Sequence, residues 1–124
     1  MSTEHQGKPS KQISFEEFEK VDLRVAEVLS AKMAVGTRSP CRILELDLGP
    51  LGVRTSVGQY ALIEEAELVG KKVIVCCNLG IRKIGRHESR VLVLGVPHPA
   101  SPKDQAQALP LTVDSRATCG DKVF

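Results

Sequence analysis

Two segments of this chain, KVIVCC at 72–77 and RVLVLGV at 90–96, are apolar at odd and even positions alike. Successive side chains of a strand point to opposite faces, so both read as strands buried on both faces. The cover has to come from a short chain, because 124 residues have room for one domain and one core. Aromatic residues are few, Phe15, Phe18, Tyr60 and Phe124 with no Trp, so Val, Leu and Ile must fill that core, which favours strands. Hydrophobic residues at 42% and charged residues at 26% are ordinary for a folded protein and far from the composition of disorder.

The remaining segments supply the other elements. Ser14 and Glu17 have capping-box spacing, with Ile13 and Phe18 at the staple positions, which predicts a short helix over 15–20. Val21, Leu23 and Val25 alternate, then the apolar phase slips to Val28, as one extra residue at Ala26 or Glu27 would produce. A long, bent first strand is expected. After the turn-like VGTRSP, Leu44, Leu46 and Leu48 alternate with Glu45 and Asp47 in a half-buried second strand. Gly49, Pro50 and Gly52 close a hairpin into a third strand over 53–57.

Over 60–69 the spacing of Leu62, Ala66 and Val69, with Glu64, Glu65 and Glu67 between them, predicts a helix stopped by Gly70. Lys71 and Lys72 would complement its C-terminus. PHPASPKDQAQALP at 97–110 predicts an exposed excursion, and the aperiodic residues 1–12 predict a disordered tail. The order, a capped helix, three strands, a helix and two strands, matches a five-stranded Greek-key barrel.

Several function classes are disfavoured. His5, His87 and His98 have no metal-type spacing among themselves or with Cys41, Cys76, Cys77 and Cys119, and no phosphate loop or nucleophile motif is present. No metal, no cofactor and no catalysis are expected. Cys76 and Cys77 are adjacent in an apolar strand and point to opposite faces, so reduced, buried thiols are expected. No apolar run is long enough to cross a bilayer and the polar start lacks a signal peptide, which reads as a cytoplasmic protein without membrane insertion. Arg82, Lys83, Arg86 and Arg90 face only Glu88 in RKIGRHESR, an excess of three positive charges where the whole chain carries +2. Such a cluster is either a solvated hairpin loop or a site for phosphates.

FEKVDLRVAEV at 18–28, RTSVGQ at 54–59, LVGKKVIVCCNL at 68–79 and RKIGRHESRVLVLGV at 82–96 together resemble the successive blocks of CsaA-type secretion chaperones. These are similar in turn to tRNA-binding domains that stand alone or end methionyl-tRNA synthetases. The resemblance implies a mainly β protein: a five-stranded OB-fold Greek-key barrel with a short N-terminal helix and a helix between strands 3 and 4. It implies one tRNA-binding-type OB-fold domain over 13–124 behind the tail at 1–12.

On this resemblance, RNA contacts fall on Arg54, Ser56, Gln59, Asn78, Arg82, Lys83, Arg86, Ser89 and Arg90. Tyr60 is the only aromatic near them, so backbone and shape recognition is expected rather than base stacking. The partners implied are tRNA or, alternatively, unfolded preproteins and the export machinery. Ala61, Leu62 and Ile63 followed by Glu64 and Glu65, where the family tends to be basic, favour the polypeptide reading. A homodimer is also implied, joined through Phe15, Phe18, Val123 and Phe124, whose apolar surfaces a small barrel cannot bury alone.

Overall fold

The computed structural model describes Gly7 and residues 9–124. Of the expected tail, residues 1–6 and 8 lie outside the described residues, and residues 9–12 have no regular structure. Helix α1 (Phe15–Glu19) opens on the capping box: Ser14 Oγ accepts from Glu17 N at 3.1 Å and Glu17 Oε1 accepts from Ser14 N at 3.0 Å. No residue of α1 is buried. Its end is pinned to the barrel by Asn78, whose Oδ1 accepts from Asp22 N at 2.9 Å and whose Nδ2 donates to Lys20 O.

Strands β1 (Leu23–Met33), β2 (Arg42–Asp47), β3 (Val53–Gly58), β4 (Lys72–Cys76) and β7 (Leu92–Val93) form one antiparallel sheet in the order β3-β2-β1-β4-β7. Its inner face carries Ala26, Val28 and Ala31, then Leu44, Leu46 and Leu48, and finally Val73, Val75, Val91 and Val93. The sheet curls until its ends meet: Arg90 N donates to Thr55 O at 2.8 Å and Val57 N donates to Ser89 Oγ at 2.9 Å. Mainly β, curled and antiparallel, the architecture is that of an OB-like barrel. Two hairpins decorate it, β5 (Arg82–Ile84) with β6 (His87–Ser89), and β8 (Gly95–Pro97) with β9 (Ala108–Pro110).

The bulge in β1 lies at Leu29, where the pairing with β2 shifts between Val28 and Ser30, and not at Ala26 or Glu27. The earlier phase slip has another cause. β2 pairs with β1 only from Glu27 onward, and the C-terminal segment takes its place before that, with Val25 N donating to Asp121 O and Gly120 N to Val25 O. Val25 and Ala26 are therefore both buried although they face opposite ways.

The helix expected over 60–69 is a single turn, α2 (Glu65–Leu68). Arg42, buried in β2, explains why: its Nε donates to Tyr60 O at 3.2 Å and Ile63 O at 2.9 Å, and Nη1 to Ala31 O at 2.7 Å. These bonds hold 60–63 as a turn ahead of α2, in which Tyr60 O also accepts from Ile63 N at 3.3 Å. Tyr60 instead enters the core, lodged against Gly58 and Gly95, where an added Cβ would come within 2.7 Å of its ring and its hydroxyl respectively.

Residues 90–96 are not one strand but hold β7 and the start of β8, because the chain leaves β6 at Ser89, joins the sheet only at β7 and leaves it for β8. Segment 97–110 is anchored rather than freely exposed. Gln107 is buried, accepts from Ala61 N and donates to Pro40 O, both at 2.9 Å. Lys72 does not complement α2; its Nζ donates to the carbonyls of Ser115 and Ala117. All four cysteines are free thiols, Cys41 and Cys76 buried and the other two half-buried.

Candidate nucleic-acid interface

A cleft of about 830 Å³ lies beside β3 between the loop joining β1 to β2 and the β5–β6 hairpin. Two contacts hold that pair of loops together. His87 Nε2 lies 2.8 Å from Val35 O, and Gly85 approaches Gly36 so closely that a Cβ on Gly85 would stand 2.8 Å from the Gly36 carbonyl. Gly85, at φ +62°, also opens the two-residue turn between Ile84 and His87, where a positive φ at the first central position suits a tight hairpin.

Aliphatic side chains such as Val57, Ile84, Leu92 and Leu94 line the walls of the cleft, and Thr37, Ser39 and Gln59 add polar groups. Arg38 and Arg82 are its only charged lining residues, so no carboxylate opposes them. Arg38 is exposed and forms no ion pair among the described residues. Arg82 is half-buried and committed: its Nη2 donates to Ser89 Oγ at 3.1 Å and to Val91 O at 3.2 Å.

The nine residues expected to contact RNA do not form one site. Gln59 and Arg82 line this cleft; Lys83, between Arg82 and Ile84 in β5, points to the other face of the hairpin, and Arg86 sits in its turn beside Gly36. Ser56 lines it too but is 1% exposed, and its hydroxyl is inaccessible and unpartnered. Ser89 is fully buried, accepts from Val57 N and Arg82, and donates to Val91 O at 3.0 Å, so it is the latch that closes the barrel. Asn78 is spent on the end of α1. Arg54 and Arg90 line a separate cleft with Val53, Cys77, Gly80 and Ile81.

Thr37, Arg38 and Ser39 were legible in the sequence only as a turn, and nothing in VGTRSP says that the turn faces β3. Tyr60 is removed from any stacking role, since it is buried and its hydroxyl donates to Val93 O at 2.9 Å. Burial pushes the thiols of Cys41, Cys77 and Cys119 up, and for Cys77 the Asp22 carboxylate adds to the effect. Among the described residues no group of three His, Cys, Asp or Glu could hold a metal ion. No helix of the described residues is long and apolar enough to cross a membrane.

Comparison with known proteins places these observations. A family model described as "Putative tRNA binding domain" matches residues 23–122. The methionine–tRNA ligase of Thiobacillus denitrificans is 36% identical over 113 residues, 90% of this chain, and that of Methanocaldococcus jannaschii is 33% identical over 117 residues, 94% of it. The chain spans 16% and 17% of the lengths of those two ligases. Among solved structures, the chaperone CsaA of Bacillus anthracis str. Ames matches with a TM-score of 0.76 at 27% identity, over 92% of this chain and all of that one. A MetRS related protein from Pyrococcus horikoshii matches with a TM-score of 0.78 at 25% identity, over 93% of this chain and all of that one.

Proposed function

This chain belongs to the tRNA binding domain family, and on that premise we propose that it is a tRNA-binding module of the cytoplasm with no catalytic chemistry of its own. The observation that carries the reading is the cleft beside β3. It bears Arg38 and Arg82 without an acid among its lining residues, and Arg86 stands in the adjoining hairpin turn beside Gly36. In OB barrels the face of strands 2 and 3 and the adjoining loops take oligonucleotides, and this cleft occupies that position. With Tyr60 buried, phosphate contacts and shape carry the recognition.

Neutralising about three phosphates gives a salt slope near −2.7, so tRNA affinity should fall roughly 40-fold between 50 and 200 mM salt. Arg38→Gln and Arg86→Gln should each flatten the slope by about 0.9. Arg82→Ala is a poorer probe, because it also unlatches Ser89 and Val91. Fluorescence titration with labelled tRNA checks these values, and salt-independent binding would remove the proposal. An unfolded preprotein titrated in parallel tests the alternative of an export chaperone, which the aliphatic walls of the cleft support. Binding of the preprotein alone would favour that reading.

The module acts as a homodimer in this proposal. Phe15 is 70% exposed and Phe124 fully exposed, and the C-terminal segment runs beside the start of β1, with Val123 N donating to Leu23 O at 2.8 Å. The exposed Phe15 on α1 and the exposed Phe124 beside the start of β1 are apolar groups that a second copy would cover.

A further inference from the structure

We infer that Arg54 and Arg90 form a second phosphate-binding site, separate from the cleft beside β3, and that an RNA backbone bound to this domain crosses both. This rests on the tRNA-binding reading and adds to it a second place of contact.

Barrel closure creates the juxtaposition. Arg90 N donates to Thr55 O at 2.8 Å, and Thr55 is the residue next to Arg54, so the hydrogen bond that seals the sheet also sets the two arginines on one shallow cleft. No acidic residue lines that cleft. Its remaining lining is Val53, Cys77, Gly80 and Ile81, with Val53 59% and Ile81 53% exposed. Two forked cations over an open apolar floor suit a phosphodiester with a sugar or base laid against aliphatic carbon, without sequence reading.

The two clefts share no lining residue but adjoin, Ile81 of one preceding Arg82 of the other in the chain, and Arg54 and Gln59 stand at opposite ends of β3, about 17 Å of extended chain apart. One RNA backbone can therefore pass from the first cleft to the second.

A competitor for Arg90 is already present. Glu88 Oε2 lies 3.7 Å from Arg90 Nη2 in an exposed pair, and Glu88 also stands opposite Lys83 in the β5–β6 hairpin. Exposed pairs of this length are weak, so phosphate displaces Glu88 at little cost. Removing the carboxylate should therefore strengthen binding, an outcome that damage to the fold cannot imitate.

The test compares the wild type with Arg54→Gln/Arg90→Gln and with Glu88→Gln. The double variant should flatten the salt slope of tRNA binding by about 1.4 to 1.8, and Glu88→Gln should tighten binding about threefold at low salt. Inorganic pyrophosphate titrated into labelled wild-type protein should shift the backbone amides of Arg54, Ile81 and Arg90, and the double variant should lose those shifts. An unchanged slope in the double variant overturns the second site while leaving tRNA binding by the first intact, as do pyrophosphate shifts confined to the β3 cleft. Pyrophosphate shifts at Arg54 and Arg90 in a protein that ignores tRNA would support the phosphate site and sink the tRNA reading instead.

Discussion

Burial holds the Tyr60 phenol in its neutral form, pushing its pKa up to about 12 from the ordinary 10. A raised folded pKa favours the protonated form, so the stability this gives is fully present below pH 10 and is lost as pH rises through 12. The loss amounts to about 2 to 3 kcal/mol. Tyr60→Phe should remove that part of the alkaline fall while costing about 1 to 2 kcal/mol at neutral pH, because Val93 O loses its donor. Urea unfolding at pH 7, 10 and 11.5 separates the two effects. Arg42 sets a harsher condition. Arg42→Leu would take the side-chain donor from the carbonyls of Ala31, Tyr60 and Ile63, of which Tyr60 O keeps Ile63 N, and should cost about 3 kcal/mol or more in the same assay. Arg42→Lys should rescue only part of this, since an ammonium cannot reproduce the fork. Neither role is visible at the level of residue type. Arg42 reads as the polar start of a strand and Tyr60 as a site aromatic until the fold turns both inward.

At the scale of elements, the β5–β6 hairpin and the loop before β2 have to stay in register for the cleft to keep its shape. Gly85→Ala should cost about 1 to 2 kcal/mol for the positive φ alone, and it drives the Gly36 carbonyl away as well. Weaker tRNA binding with a salt slope near that of the wild type is the expected signature, because geometry is lost while charge is kept. The latch behaves differently. Ser89→Ala leaves the Val57 N–H without an acceptor and should destabilise by about 1 to 3 kcal/mol, measured by denaturant unfolding. Elements whose signal is local were legible in advance: the capping box of α1, the Leu44, Leu46 and Leu48 face of β2, and the glycine turn after it. Those that depend on a distant partner were not. The length of α2 was set by Arg42, and the breaks within 90–96 were set by closure onto β3.

For the whole molecule, the exposed Phe15 of α1 and Phe124 of the C-terminal segment make the proposed dimer testable. Phe15→Asp, or deletion of residues 122–124, should shift the protein toward monomer in light scattering at micromolar concentration. tRNA affinity should fall with it, since two sites on one assembly bind a large RNA more tightly than one. A wild type that stays monomeric at hundreds of micromolar would remove both the dimer and the avidity.

What the sequence determined by itself was class and inventory. Alternating Leu, two double-sided apolar runs and few aromatics specify a small β barrel, and the basic run at 82–90 names the cations from which a phosphate site is made. Tertiary structure decided which of those cations are available and where. Ser89 is consumed in closing the barrel and Arg82 is tied to it through Nη2 while still lining the cleft, Asn78 is spent in holding α1, and Arg38 is added to the site from a loop legible in advance only as a turn. The reason is physical: periodicity reports on which face of an element is buried, but a side chain's hydrogen-bond partners lie tens of residues away, and only closure of the sheet brings them within reach.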